Sequence, residues 1–155
     1  MKKNIDILVI PISTPLLMGI YVNDQLIETV SKDGKTSDIL PFLFEQLMER
    51  YNINNIYYTN GPGSYMSIKV AYIFLKTYSI VKHIPLKAVK GFCFNENSPI
   101  KALGKKYFFN DNDDKIIIRV LNEDDVIKDF KLPDNLDISL FDNNSLPSYD
   151  LPAVN

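Results

Sequence analysis

Apolar residues open the chain in three short runs, IDILVIPI at 5–12, LLMGIYVN at 16–23 and QLIETVS at 25–31, separated by Ser-Thr-Pro and by Asn23-Asp24. Runs of this length, rich in β-branched residues and broken by turn formers, predict three strands of a meander. Asp33-Gly34 then turns the chain into TSDILPFLFEQLMERY, where Leu40, Leu43, Leu47 and Tyr51 recur at helical spacing. Ser37 or Asp38 is the expected cap, with Pro41 in the first turn, where it is tolerated. NNIYYT predicts a fourth strand, SYMSIKVAYIFLKTYSIVKH a second helix and IPLKAVK a fifth strand. The order βββαβαβ implies an α/β fold with a mixed sheet and helices covering it.

The second helix is apolar around most of its circumference. Val70, Phe74, Thr77 and Val81 form one stripe, suited to lying on the sheet. Ser67, Ala71, Leu75 and Ser79 form another row, small enough at most positions for a second helix to approach closely. That helix is either the first helix of this chain or one from a partner. If a partner covers the row, Ala71→Arg leaves the single chain folded and abolishes binding.

After Gly91 the composition shifts toward Asn, Asp and Lys, and KYFFN, KIIIRVL and VIKDFKL predict three further strands around the turn-forming DNDD at 111–114. We therefore expect a first lobe over 1–92, a reduced second lobe over 93–132 and a tail over 133–155 that is either extended and docked or partly disordered.

The 155 residues with 46% hydrophobic content suffice for a core. A net charge of −2, from 17 basic and 19 acidic residues, offers no field for nucleic acid, so any RNA is expected to be held by a partner. No apolar run nears the roughly 18 residues of a membrane span, and Asp6 and Pro11 interrupt any signal-peptide core, so a cytoplasmic protein is expected. The lone Cys93, between Phe92 and Phe94, reads as a small buried hydrophobe. His83 is the single histidine and stands at a helix end, which leaves little material for imidazole metal sites or Ser-His and Cys-His relays. The acidic runs NDNDD and NEDDV read as solvated turns.

Between the fourth strand and the second helix lies YTNGPGSY. Gly61, Pro62 and Gly63 end the strand, and Ser64 is placed to cap the helix. Backbone N–H groups at such a helix start can meet an anion. The turn lacks the Gly-Lys-Ser/Thr ending of a Walker loop and the third glycine of a dinucleotide fingerprint, so a plain strand-to-helix turn competes with a phosphate cradle.

GPGSYMSIK at 61–69 and HIPLKAV at 83–89 resemble the TsaB (YeaZ) family, in which a strand runs into Gly-Pro-Gly-Ser-Phe-Thr-Gly-(Leu/Val)-Arg, a helix, and then Gly-Ile-Pro-Leu. ILP at 39–41 is similar to that family's Leu-Leu-Pro, and LPSY at 146–149 to its C-terminal Pro-x-Tyr. The resemblance covers 5–92. It implies an actin-like ATPase fold (ASKHA, RNase H-like) with a shortened second lobe, in a non-catalytic subunit that supports TsaD, with TsaE, in threonylcarbamoylation of adenosine 37 of tRNAs decoding ANN codons. It further implies partner contacts through Leu40, Leu43, Leu47, Ser67, Ala71, Leu75 and Ser79, and a nucleotide-proximal turn at Gly61, Pro62, Gly63 and Ser64. ATP or ADP and metal would be held by the partner subunits, tRNA would be met only through the complex, and the chain alone could form a homodimer.

The chain departs from that pattern at Pro11, where the family carries Asp, at Met66 for Thr, at Ser67 and Ala71 for glycines, and at Lys69 for Arg. An actin-like phosphotransferase needs the missing carboxylate to organise metal and water. A small actin-fold ATPase, kinase or peptidase, or a homodimeric scaffold, are the alternatives.

Overall fold

The computed structural model describes residues 1–111 and 115–149. Part of the turn read at 111–114 and the end of the tail, 150–155, lie outside those residues. Strands β1 (Lys3–Ile10), β2 (Leu16–Val22) and β3 (Gln25–Lys32) form the meander. Helix α1 (Thr36–Arg50), β4 (Tyr51–Thr59), α2 (Tyr65–Lys82) and β5 (Leu86–Val89) follow. The five strands make one sheet in the order β3-β2-β1-β4-β5, antiparallel at β1–β2 and β2–β3 and parallel at β1–β4 and β4–β5. The predicted mixed α/β order is the one observed.

Strand β1 reads as nearly continuous apolar sequence because it is the central strand and both of its faces are covered. Ile5, Ile7 and Val9 face the helices in a core with Leu40, Leu43, Phe44, Leu47, Ala71 and Leu75. Leu8 and Ile10 point the other way, against Tyr21, Tyr57, Phe94, Leu132, Leu136 and Phe141. Edge strand β3 alternates instead, every second residue being exposed along most of its length.

The helices differ from expectation at their ends. The cap of α1 is Lys35, which makes no side-chain capping bond, so Pro41 lies in the second turn and removes the bond that its N–H would have made to Ser37. Helix α2 closes on His83, exposed and left-handed at φ 56°, while the N–H of Ile84 bonds back to the carbonyl of Ser79. The single histidine is thus a helix terminator.

The burial of α2 differs from expectation. Ala71 and Leu75 are fully buried in the core that α1, α2 and the sheet share, and Ile68 is fully buried as well. Thr77 and Val81, assigned to the sheet, are exposed. Phe74 is half-buried between the helices: its ring and that of Tyr78 meet Phe44 of α1 edge-on at 5.3 and 5.0 Å. The rings of Phe74 and Tyr78 thus pack toward α1.

Beyond β5 a short 3-10 turn (Gly91–Phe94) leads into a second sheet of β6 (Ile100–Lys101), β7 (Lys106–Asn110) and β8 (Ile116–Val120). VIKDFKL at 126–132 is not a strand, and the two-residue β6 was not foreseen. Cys93 is exposed, not buried. The NEDDV run is also less bland than it reads. Asp125 takes two bonds from Arg119, at 2.7 and 3.0 Å, and one from the Asn122 N–H, which hold its carboxyl below the usual carboxylate range.

The tail is docked. Leu136 N–H donates to the Asp24 carbonyl and Leu26 N–H to that of Asp134, so the tail begins on the β3 edge. It crosses the face opposite the helices, burying Leu136 and Phe141, and reaches the β5 edge, where Ala88 and Asp142 exchange both backbone bonds at 2.9 and 2.8 Å. Asx turns at Asp142 and Asn144 then shape its last described residues.

Candidate functional site

Three features meet at the end of β4: the glycine turn, the start of α2 and a cleft between the two sheets. Gly61 and Gly63 take φ values of +130° and +156°, which side-chain-bearing residues rarely adopt. A Cβ on Gly63 would stand 2.6 Å from Cγ2 of Ile12, and one on Gly61 would collide with the carbonyl of Ser148. The turn is glycine-rich because two other parts of the chain press on it. Ser64 caps α2 as expected, accepting from the Ser67 N–H at 3.5 Å.

Ile12 stands in front of the turn and belongs to the cores of both sheets. Beside it opens a cleft of about 760 Å³, lined by Ser13, Thr14, Ser64, Lys101, Tyr107, Lys128 and Asp129 among others. Asp129 is the carboxylate among its lining residues, and it is exposed. Pro11 supplies no charge at the end of β1. Among the described residues no group of three or more His, Cys, Asp or Glu side chains is placed to hold a metal ion.

Of the residues read as partner contacts, Leu40, Leu43, Leu47, Ala71 and Leu75 lie inside the chain's own core, and Ser67 and Ser79 are half-buried. Ser79 is occupied as well, its hydroxyl donating to the Ile84 carbonyl. The row therefore belongs to the chain's own core and does not form a free surface. What α2 does present is Met66, Ile73, Ile80 and Val81, at 62%, 53%, 63% and 64% exposure. Residues 66, 73 and 80 repeat at seven-residue spacing, which keeps them on one side of a helix over four turns. Phe42, 52% exposed, is the large apolar side chain that α1 offers to solvent. The signal for this stripe was present in the sequence as that seven-residue repeat, but on a helix apolar all round it could not be ranked against the inward rows.

No protein-family model matches the chain, and no curated protein sequence matches it. Among solved structures the fold is shared with YeaZ from Pseudomonas aeruginosa at a TM-score of 0.58 and 11% identity, over 85% of this chain and 65% of that one. A second neighbour, an uncharacterised protein described as similar to peptidase YeaZ from Pseudomonas aeruginosa, gives 0.56 and 11% over the same shares. The chain thus spans 65% of the length of the structures it matches. No helix among the described residues is long and apolar enough to cross a membrane.

Proposed function

We propose that this chain is a non-catalytic subunit of the TsaB (YeaZ) kind, with a reduced actin-like fold, that docks α2 onto TsaD and supports threonylcarbamoylation of adenosine 37 in tRNA. The observation that carries this reading is the exposed apolar stripe of α2, on a helix that leaves the glycine turn of a fold shared with YeaZ. Covering the exposed part of each of its four side chains would contribute on the order of 1 kcal/mol, enough together for a specific helix-to-helix contact. Nucleotide, metal and tRNA are assigned to the partners, TsaD and TsaE. The cleft supports that division. Ile12 fills the space before the turn, and the end of β1 carries Pro11 where a phosphotransferase needs a carboxylate.

A change of Ile73→Glu on the stripe tests the contact. Because Ile73 is largely solvated in the single chain, stability should stay within about 0.5 kcal/mol of the parent. Titration with TsaD should weaken by roughly a hundredfold, as a charge is buried without a partner. Undiminished affinity would place the contact elsewhere. Nucleoside mass spectrometry after depletion of the protein should show less threonylcarbamoyl-adenosine, and an unchanged level would remove the tRNA role.

The stripe could also meet its own copy, since a seven-residue repeat can pair with itself about a two-fold axis. Sedimentation of the isolated chain distinguishes the cases: a dimer that Ile73→Glu dissociates, and that TsaD does not displace, would favour the scaffold.

A further inference from the structure

We propose that the last described residues of the tail, 145–149, are a clamp that holds the first turn of α2, and with it the partner-facing stripe, in position. The helix itself restrains that turn poorly. Its cap bond is long, at 3.5 Å, and no acidic residue stands in the first turn to meet the N-terminal partial charge. The tail supplies what the helix lacks. Asn60 grips it twice: its side-chain amide donates to the Leu146 carbonyl at 2.9 Å, and its own carbonyl accepts the Ser148 N–H at 2.7 Å. Tyr58, buried at the end of β4, donates its hydroxyl to the Ser145 carbonyl. The Ser148 carbonyl fills the space that glycine leaves open at position 61. The Tyr149 ring then lies 4.5 Å from that of Tyr65, the first residue of α2, directly before Met66 of the stripe.

Leu146 is exposed, so residues 146–149 can open while the buried Tyr58–Ser145 bond, Phe141 and the Asp142 pairing with β5 stay in place. Opening would free the turn at residues 61–64 and the helix start together. A partner that requires an ordered α2 would, by reciprocity, favour the closed clamp. That consequence rests on the reading of the stripe given above. The clamp itself does not.

Hydrogen exchange on the full chain, comparing the parent with Tyr149→Ala and Tyr149→Phe, tests the clamp without a partner. In Tyr149→Ala the amides of Ile68 to Ala71, which bond back into the first turn, should exchange about tenfold faster, while those of residues 76–82 and of α1 keep their rates. Tyr149→Phe retains the ring and should match the parent. Parental rates at Ile68 to Ala71 in Tyr149→Ala, or an equal acceleration throughout the chain, would overturn the clamp. Titration with TsaD adds a second readout: affinity should fall by about tenfold for Tyr149→Ala and remain for Tyr149→Phe. If Ile73→Glu leaves TsaD binding intact, the stripe reading fails while the exchange result still decides the clamp. If Ile73→Glu abolishes binding and Tyr149→Ala changes neither exchange nor affinity, the clamp alone fails.

Discussion

The two faces of the five-stranded sheet are buried to a similar depth by different means. On one, α1 and α2 lay regular apolar faces on Ile5, Ile7 and Val9. On the other, the 3-10 turn at Gly91–Phe94 and an irregular tail cover Leu8 and Ile10 with single side chains, Phe94, Leu132, Leu136 and Phe141. A helix satisfies its own backbone bonds, so it can cover a sheet without touching the edges. An extended tail cannot, and it borrows bonds from both edges, at Leu26 on β3 and at Ala88 on β5. The same pairing shields part of two edge strands that would otherwise offer unpaired backbone groups. An irregular cover is therefore as much a part of the fold as the helices, although it depends on contacts far apart in the chain.

The sharpest break in that comparison comes from the helical face. Ala71→Arg puts a long charged side chain at a fully buried position in the core shared by the two helices and the sheet. It should cost about 4 kcal/mol or more and unfold much of the population, as seen in urea titration followed by circular dichroism. A folded variant would mean that α2 can lift from the sheet, and would restore the partner-facing role first expected for that row.

The tail face should answer with a smaller but comparable loss. The Phe141 ring lies tilted against that of Tyr57 at 4.6 Å, and Phe141→Ala should cost about 3 kcal/mol through lost burial and a cavity. A loss below about 0.5 kcal/mol would reduce the tail to a surface decoration and break the equivalence of the two faces.

The smallest effect belongs to Asp6, on β1 between the apolar residues. Burial, and to a lesser extent the charge of Asp24, raises its carboxyl above the ordinary carboxylate value, against the bond donated by the Asn55 amide at 2.9 Å. Because the folded pKa exceeds the unfolded one, stability is lost as pH rises from the unfolded value through the folded one, and the loss persists at neutral pH. Asp6→Asn keeps an acceptor for Asn55 and removes the charge. It should raise Tm by roughly 2 °C at pH 7, discounted for partial solvation, and by less at pH 3. A larger gain at pH 3 would reverse the sign argued here.

The phenol of Tyr57 is pushed up to about 12, chiefly by burial and further by the charges of Asp6 and Asp24. Tyr57 is buried on the face that the tail covers, and the tail's sequence carries no periodicity.

The features legible along the chain are local ones. The order βββαβαβ, the glycine turn and the extent of α2 follow from spacing, turn chemistry and capping, all of which act within a few residues. Only the tertiary structure decided which way α2 faces. Residues 66–82 are apolar nearly all round, so periodicity could not separate the buried Ala71 and Leu75 from the exposed Ile73 and Ile80. The fold chose, because only the side of α2 that meets α1 and the sheet is removed from water. Likewise Gly61 reads as a turn glycine in sequence, and its second role follows from a carbonyl 87 residues away in the chain, that of Ser148. The docked path of the tail has the same origin: it is made by Leu136 and Phe141 finding a face that only the folded sheet creates.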